Sequence, residues 1–348
     1  MRFFSQSIKV KDILIVLSIT ILLPVTFEFL SERILSHKKS EALHLTFKRQ
    51  YHGNNLDFLN KCLSYDEVDP LLGWAMSEEK LVERGWRVKN NCIYLENKVV
   101  DSKDTLIIFI TGGSTSDLGL NPKNWPLLLH RKFKEKHIAS CIYVGAVGAY
   151  GSSQEILKLL RDGIRIHPDI HISYCGANEY QNPYFVSPYE QTFFKEALHR
   201  AQSAPLLPNS VYLLKSLLLT NKNAMTLKAY PIDNDFQQWK ENLATMQAIS
   251  IGNSYEFIGI LQPVVGFGKI VNSKTDPNIL NFLEEYKHFY PAAIKHTNDN
   301  YYLNDFTGIF DDFGEKVFID DCHIKDEYQQ IIADSVYSLI DRKKIETK

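Results

Sequence analysis

The sequence predicts an α/β fold built around a central parallel β-sheet. Residues 106–110 form a short apolar block of β-branched, leucine and phenylalanine side chains without polar alternation, which is typical of a strand covered on both faces. From Thr105 onward, strand-like runs alternate with segments of helical spacing, which is typical of βαβ units. A chain of 348 residues with 45% hydrophobic content is long enough for one large domain with an appendage.

The predicted elements follow one another from strand to helix along the chain. Strands are predicted at residues 105–111, 140–144, 169–174, 257–262 and 317–319, and helices at 125–136, 153–163, 278–296 and 326–340. Ser152 and Glu155 fit a capping box at the start of the second helix. Residues 183–208 are rich in aromatic residues and proline, so we expect an insertion near the loop edge of the sheet.

Composition excludes several classes of protein. A net charge of -2 provides no basic field for nucleic acid, so nucleic acid is not expected as a partner. The five cysteines contain no CxxC pair, which argues against a zinc ribbon or a dithiol redox site. Cys141 and Cys175 lie in apolar runs and are expected in the core, which leaves Cys62 and Cys92 as the pair free to form a disulfide.

The N-terminus carries an uncharged, mostly apolar segment at residues 13–27 that follows basic residues and predicts a membrane segment. No A-x-A-like site follows it, which favours an uncleaved anchor over the core of a signal peptide. We therefore expect the bulk of the protein on the outer, extracytoplasmic side of a membrane, or secreted if the segment is cleaved. The predicted divisions are residues 1–35 as the anchor, 36–104 as a stalk and small cap, and 105–348 as the main domain.

Four unusual loops each follow a predicted strand. Their sequences are GGS at residues 112–114, GAVG at 145–148, GANE at 176–179 and DDCH at 320–323. Because the carboxyl ends of parallel strands meet at one edge of an open α/β sheet, and ligands bind there, we expect the four loops to converge. Taken singly, the first loop is explained as a Gly-Gly turn with a serine cap, and the last as a turn before a helix. Their expected convergence at one edge of the sheet favours a functional site instead.

The residue types in these loops suit nucleophilic chemistry. The Ser114 hydroxyl needs a base to take its proton, and His323 held by Asp320 supplies one. Acyl transfer also places negative charge on a carbonyl oxygen, and the candidate donors to it are the Ser114 N–H, an N–H of the glycine loop and the Asn178 amide. An asparagine at a strand end is often only a turn former, so the position of Asn178 beside the other loops is the argument for a role.

In order and spacing, the four loops resemble the four blocks of the SGNH/GDSL hydrolase superfamily over residues 105–340. This resemblance implies a flavodoxin-like, three-layer α/β/α fold and the hydrolysis or transfer of O-acyl esters without a metal or organic cofactor. It also implies Ser114 as nucleophile, Asp320 and His323 as the rest of the triad, and Asn178 with a glycine-loop amide as the oxyanion hole.

The chain departs from the superfamily pattern in two of the blocks. The glycine block usually begins with asparagine, where this chain has Tyr143 or Val144. Counting forward from Gly145 makes Gly148 the oxyanion residue, whereas counting back from the following serines makes it Ala149; we favour Gly148. The serine block reads GGS in place of GDS, a variation that the superfamily tolerates.

The expected substrate is an acyl ester, with acetyl favoured, on a cell-surface or secreted glycan, an inference from location and analogy. Four aromatics after Asn178 either line a sugar or acyl cleft or pack a cap, and they are Tyr180, Tyr184, Phe185 and Tyr189. The alternatives are a lipase or lysophospholipase, and an O-acetyltransferase, although the Asp-His pair at the C-terminal end favours the hydrolase branch. A catalytically silent glycan-binding or assembly protein is the alternative of another class.

Overall fold

The computed structural model describes residues 26–27, 30, 66–69, 71–99, 104–179, 235–268, 286–313 and 315–346. All elements below belong to one of two units of the chain, formed by residues 51–192 and 229–348. Four predicted features lie wholly or largely outside the described residues: the N-terminal membrane segment, the insertion at 183–208, the first part of the helix predicted at 278–296, and the aromatics Tyr180, Tyr184, Phe185 and Tyr189.

The described elements alternate between strand and helix through most of the chain. The strands are β1 (Asp66–Asp69), β2 (Gly73–Met76), β3 (Val88–Lys89), β4 (Cys92–Asn97), β5 (Leu106–Gly112), β6 (Ser140–Val144), β7 (Ile170–Cys175), β8 (Glu256–Leu261) and β9 (Leu303–Asp305). The helices are α1 (Glu78–Glu83), α2 (Trp125–Glu135), α3 (Ser152–Lys158), α4 (Asp235–Gly252), α5 (Tyr290–Asn298) and α6 (Gln329–Glu346).

Seven of these strands form one sheet in the order β3-β4-β6-β5-β7-β8-β9. The five neighbouring strands β6, β5, β7, β8 and β9 pair in parallel, whereas β3 and β4 add an antiparallel edge. The centre of the sheet is β5, in which Ile110 pairs with Val144 on one side and with Ile172 on the other. The predicted α/β fold with a mostly parallel sheet is therefore confirmed.

Helices cover both faces of the sheet. On one face, Ile108 and Ile110 pack in a buried cluster with α2 and α6, to which Trp125 and Val336 belong. On the other face, Phe109 packs in a second cluster with side chains of the α4 and α5 helices, among them Trp239. Because neighbouring residues of β5 point to opposite faces, both of which are covered, its sequence lacks polar alternation. The architecture is three layers, helix, sheet and helix.

The predicted boundary at residue 105 does not follow the fold. Strands β3 and β4 belong to the central sheet, and Ile93 and Leu95 of β4 lie in its core. The hairpin of β1 and β2 is held to the helical segment after α3 by an ion pair between Asp69 and Arg161. Within the predicted stalk and cap of residues 36–104, the described residues 66–69 and 71–99 therefore contribute two strands and buried apolar side chains to the central sheet.

Two other expectations are also corrected by the structure. Residues Glu315–Val317 form a 3-10 turn, not the start of the strand predicted at 317–319, and the edge strand β9 was not predicted. Cys92 is a free, buried thiol whose burial raises its pKa to about 11, so it does not form the predicted disulfide. Among the described helices, none has the length and apolar character needed to cross a membrane.

Candidate active site

The serine loop begins where β5 ends in a turn that requires glycine. Gly112 has a φ of 155°, and a Cβ atom there would lie 2.7 Å from the Tyr174 carbonyl oxygen. Ser114 follows in the turn and is 7% exposed. The next helix, α2, begins only at Trp125, so the serine does not cap a helix as the sequence suggested. Instead, Asn124 fixes the loop by donating from its Nδ2 to the Ser114 carbonyl oxygen at 3.1 Å.

The serine, histidine and aspartate form one continuous hydrogen-bonded chain. His323 Nε2 lies 2.7 Å from Ser114 Oγ, and His323 Nδ1 lies 2.7 Å from Asp320 Oδ2. Asp320 Oδ1 also accepts the backbone N–H groups of Cys322 at 3.0 Å and His323 at 2.8 Å, which folds the loop around the carboxylate. The structure thus brings Ser114 together with the Asp320–His323 pair, although Ser114 and His323 are 209 positions apart in the sequence.

The electrostatics of these three hydrogen-bonded side chains favour an ionised Asp320 and a basic His323 imidazole. Burial raises the pKa of Asp320, but the charge of His323 and its hydrogen bonds outweigh burial and leave that pKa below its ordinary value. Burial lowers the pKa of His323, but the Asp320 carboxylate outweighs burial and leaves it above its ordinary value. The imidazole is therefore a stronger base than an isolated one, as a group that takes a hydroxyl proton should be.

Asn178 lies against the serine loop. Its Nδ2 donates to the Tyr150 carbonyl oxygen at 2.8 Å, and a Cβ atom built on Gly113 would lie 2.4 Å from the same nitrogen. The absence of a side chain at Gly113 is what lets the amide approach the residue before the nucleophile. The loops of Ser114 and Asn178 therefore meet as the sequence predicted.

The glycine loop is adjacent to the same loops, and its two candidate donors, Gly148 and Ala149, differ in their hydrogen bonding. The Gly148 N–H already donates to Asp117 Oδ2 at 2.9 Å, so that hydrogen is not directed at an oxyanion. Ala149 has a φ of 64°, an uncommon conformation for a residue with a Cβ atom. Its N–H has no hydrogen-bond acceptor within the part of the chain that the structure describes. The geometry therefore favours Ala149, the alternative count, and an oxyanion role for either residue stays a prediction.

Sequence reasoning missed two buried carboxylates that organise these loops. Asp117 is fully buried and accepts the Gly148 N–H. Glu179 is fully buried and accepts both the N–H and the hydroxyl of Ser152, each at 2.8 Å. The predicted capping box is therefore wrong, since Glu155 instead accepts the Thr111 hydroxyl under the sheet. The sequence offered one signal for the roles of Asp117 and Glu179: Asp117 lies three residues after Ser114, and Glu179 directly follows Asn178.

A metal is not needed to explain the donor set at this site. Among the described residues, Asp320, Cys322 and His323 offer possible ligand atoms within 4.8 Å of one another. The Asp320 and His323 atoms are already bonded to each other, and burial raises the pKa of the Cys322 thiol well above its ordinary value. The contact between Asp320 and His323 is that of an acid-base pair.

Comparisons with known proteins find similarity among solved structures. An acetyl xylan esterase is 12% identical, with a TM-score of 0.42 over 68% of this chain and 100% of that one. A GDSL-like lipase from Bacteroides thetaiotaomicron is 11% identical, with a TM-score of 0.38 over 68% of this chain and 88% of that one. An acetylxylan esterase from Geobacillus stearothermophilus is 11% identical, with a TM-score of 0.40 over 66% and 92%. No family model and no curated protein matches the sequence.

Proposed function

We propose that this protein is a serine esterase that cleaves O-acyl esters with Ser114 as the nucleophile. The observation that carries the proposal is the hydrogen-bonded chain from Ser114 Oγ through His323 to Asp320, with contacts of 2.7 Å at each step. A structural role alone does not require a serine, an imidazole and a carboxylate in this order. The same order is the arrangement that turns a weakly nucleophilic hydroxyl into an attacking group.

The chemistry follows from the positions of these groups. His323 Nε2 takes the Ser114 proton as Oγ attacks the carbonyl carbon, and the Asp320 carboxylate stabilises the imidazolium that forms. The carbonyl oxygen becomes an oxyanion, for which the Ser114 and Ala149 N–H groups and the Asn178 amide are the proposed donors. The alcohol then leaves with the proton from His323, and water releases the acid from the acyl-enzyme by the same sequence of transfers.

The finer proposal is that the ester is an acetyl group on a cell-surface or secreted glycan, outside the membrane to which residues 13–27 tether the protein. The apolar N-terminal sequence and its basic flank support the membrane tether, and the acetylated glycan is an inference from that location and from analogy. A lipase, an O-acetyltransferase and a non-catalytic glycan-binding protein are the competing outcomes of the test below.

The experiment compares the parent protein with Ser114→Ala on nitrophenyl esters of increasing chain length, acetylated xylan and a lysophospholipid. We expect the parent to turn over the short esters and Ser114→Ala to lose at least about 10³-fold in kcat. Ser338→Ala removes an exposed hydroxyl on α6 and is the matched control, expected to retain activity. A parent protein that is folded yet cleaves none of the esters and reacts with no fluorophosphonate would support the binding protein instead.

Preference among the substrates separates the remaining alternatives. Fastest turnover of acetyl esters supports the glycan proposal, whereas a rate that rises with chain length supports a lipase. An acetyl ester that is consumed faster when a sugar alcohol is added, with formation of the acetylated sugar, supports the transferase. Each result is measured against Ser114→Ala, so a background reaction of the ester does not count.

A further inference from the structure

The glycine loop is held from two sides at a single residue. On one side, the Gly148 N–H donates to Asp117 Oδ2 at 2.9 Å. On the other side, the indole N–H of Trp74 donates to the Gly148 carbonyl oxygen at 3.0 Å. Trp74 belongs to β2, in the hairpin ahead of the central sheet, and it is 2% exposed. Both polar backbone groups of Gly148 are therefore fixed by buried side chains from different parts of the chain.

The Asp117 side of this clamp is itself rigid. Asp117 Oδ1 accepts the N–H groups of Gly119 at 2.8 Å and Leu120 at 3.2 Å, and the side chain is fully buried. Asp117 also lies three residues after Ser114, and its own N–H donates to the Ser114 carbonyl oxygen at 3.4 Å. The carboxylate thus ties the glycine loop directly to the loop that carries the nucleophile.

The Trp74 side is held by a reciprocal contact with the same loop. The Tyr150 hydroxyl donates to the Trp74 carbonyl oxygen at 2.5 Å, and the two rings meet edge to face with centroids 5.5 Å apart. The hairpin and the glycine loop are therefore joined by two hydrogen bonds and a ring contact. Such a connection fixes orientation more tightly than a single bond, because rotation about one contact is blocked by the others.

We propose that Trp74 and Asp117 are positioning residues that aim the Ala149 N–H at the oxyanion. A peptide group is planar, so in a trans peptide the carbonyl oxygen of Gly148 and the N–H of Ala149 point in opposite directions. When Trp74 holds that oxygen on the hairpin side, the Ala149 N–H must face away from the hairpin. This inference rests on the proposed function, since it assigns how the oxyanion hole is held in shape.

The hydrogen bonds of the neighbouring residues agree with this assignment. The Val147 N–H donates to the Gly112 carbonyl oxygen and the Tyr150 N–H to the Val147 carbonyl oxygen, both at 3.1 Å. The Gly148 N–H is occupied by Asp117. Within residues 147–150, all described and all in the loop, Ala149 alone has an N–H without an acceptor. Ala149 is only partly buried, and its N–H is the one among these four that is available to a ligand.

The test uses the full chain and two conservative variants, Trp74→Phe and Asp117→Asn. Trp74→Phe removes the indole N–H but keeps an aromatic ring, and Asp117→Asn places an amide where Gly148 needs an acceptor. We expect each variant to lose about 10- to 100-fold in kcat, part of what a lost oxyanion donor costs, with KM changed less than about threefold. The kcat is normalised to active sites titrated with a fluorophosphonate, so that partial unfolding does not count as lost catalysis.

Trp239→Phe is the matched control, because Trp239 is fully buried and its indole N–H also makes one hydrogen bond, to Cys175 Sγ at 3.2 Å. We expect this control to lose stability while its normalised kcat stays within about threefold of the parent. A normalised kcat near that of the parent in Trp74→Phe or Asp117→Asn would overturn the clamp. If the parent itself shows no Ser114-dependent turnover, the proposed function fails first, and the two failures are thereby distinguished.

Discussion

Replacing Gly113 with alanine tests whether Asn178 belongs to the catalytic site. Gly113 precedes the nucleophile, and an added Cβ atom would lie 2.4 Å from Asn178 Nδ2 and 3.2 Å from the Tyr150 carbonyl oxygen. The φ of Gly113 lies outside the left-handed region, so alanine is compatible with the backbone and the effect comes from the side chain alone. The substitution adds one methyl group and leaves all three triad residues unchanged.

The expected size of the effect follows from these distances. The distance of 2.4 Å between the added Cβ atom and Asn178 Nδ2 is about 1 Å shorter than the 3.4 Å at which ordinary contacts begin. The amide must therefore move by a comparable distance. Asn178 is 8% exposed, and its 2.8 Å bond to Tyr150 leaves it little room to move without loss. Overpacking of this kind costs about 1–3 kcal/mol of stability. Displacing one oxyanion donor costs about 10²- to 10³-fold in kcat.

The assay measures kcat on a short nitrophenyl ester for Gly113→Ala, Asn178→Ala and the double variant. We expect both single variants to lose activity to a similar degree and the double variant to lose little more, because the clash disappears once Asn178 is gone. Gly252→Ala is the control, since Gly252 ends α4 and a Cβ atom there would meet nothing within 4 Å. That variant should keep full activity and gain about 0.4–1 kcal/mol of stability.

Two results would refute this reasoning. If Gly113→Ala folds and retains a kcat within about threefold of the parent, the displaced amide is not an oxyanion donor. If Gly113→Ala loses as much activity in the Asn178→Ala background as in the parent, the methyl group acts through something other than Asn178. Both results use variants that differ by a few atoms, so a change of fold would be visible separately in thermal unfolding.

Two further predictions concern the adjacent aspartates. Asp320→Asn should lower the pKa of His323, because the Asp320 carboxylate is what raises it. The acidic limb of the pH-rate profile should therefore shift to lower pH, while kcat falls by about 10³- to 10⁴-fold. An acidic limb that does not shift would contradict the assignment of Asp320 and His323 as a pair. In the parent, Asp321 has its pKa raised to about 8, so the free energy of unfolding should fall as pH rises from about 4 toward 8, because the unfolded chain releases that proton first. Asp321→Asn should reduce this slope, and urea unfolding at about pH 5 and about pH 8 that shows equal stability differences from the parent would count against it.

Much of the fold and the triad could be predicted because local sequence and strand order act together. An uninterrupted apolar run such as residues 106–110 indicates a strand covered on both faces. Since parallel strands end at one edge, Ser114 and Asn178 had to lie near each other once β5 and β7 were recognised. The Asp320–His323 contact is local, over three residues, and needs only a turn.

The contacts that escaped sequence reasoning join distant residues through the backbone. The bond from Trp74 to the Gly148 carbonyl oxygen spans 74 residues and involves no residue type at its acceptor end, so no motif marks it. Gly148 and Ala149 are alternatives in the sequence because a backbone donor is defined by peptide orientation, which side-chain identity does not encode. Ser152 was predicted to bond within its own helix because the competing acceptor, Glu179, follows a different strand.

The neighbouring aspartates show why a local motif needs its surroundings to assign a role. Burial and the nearby charge of Asp320 raise the pKa of Asp321, whose carboxyl accepts the Tyr286 hydroxyl at 2.5 Å. Burial also raises the pKa of Asp320, but the charge and hydrogen bonds of His323 reverse the net shift. Two identical side chains thus differ because only one of them faces the imidazole. Asp320 is ionised in the pH range where His323 acts as a base, and a neutral acid at Asp321 does not compete with it for the imidazolium.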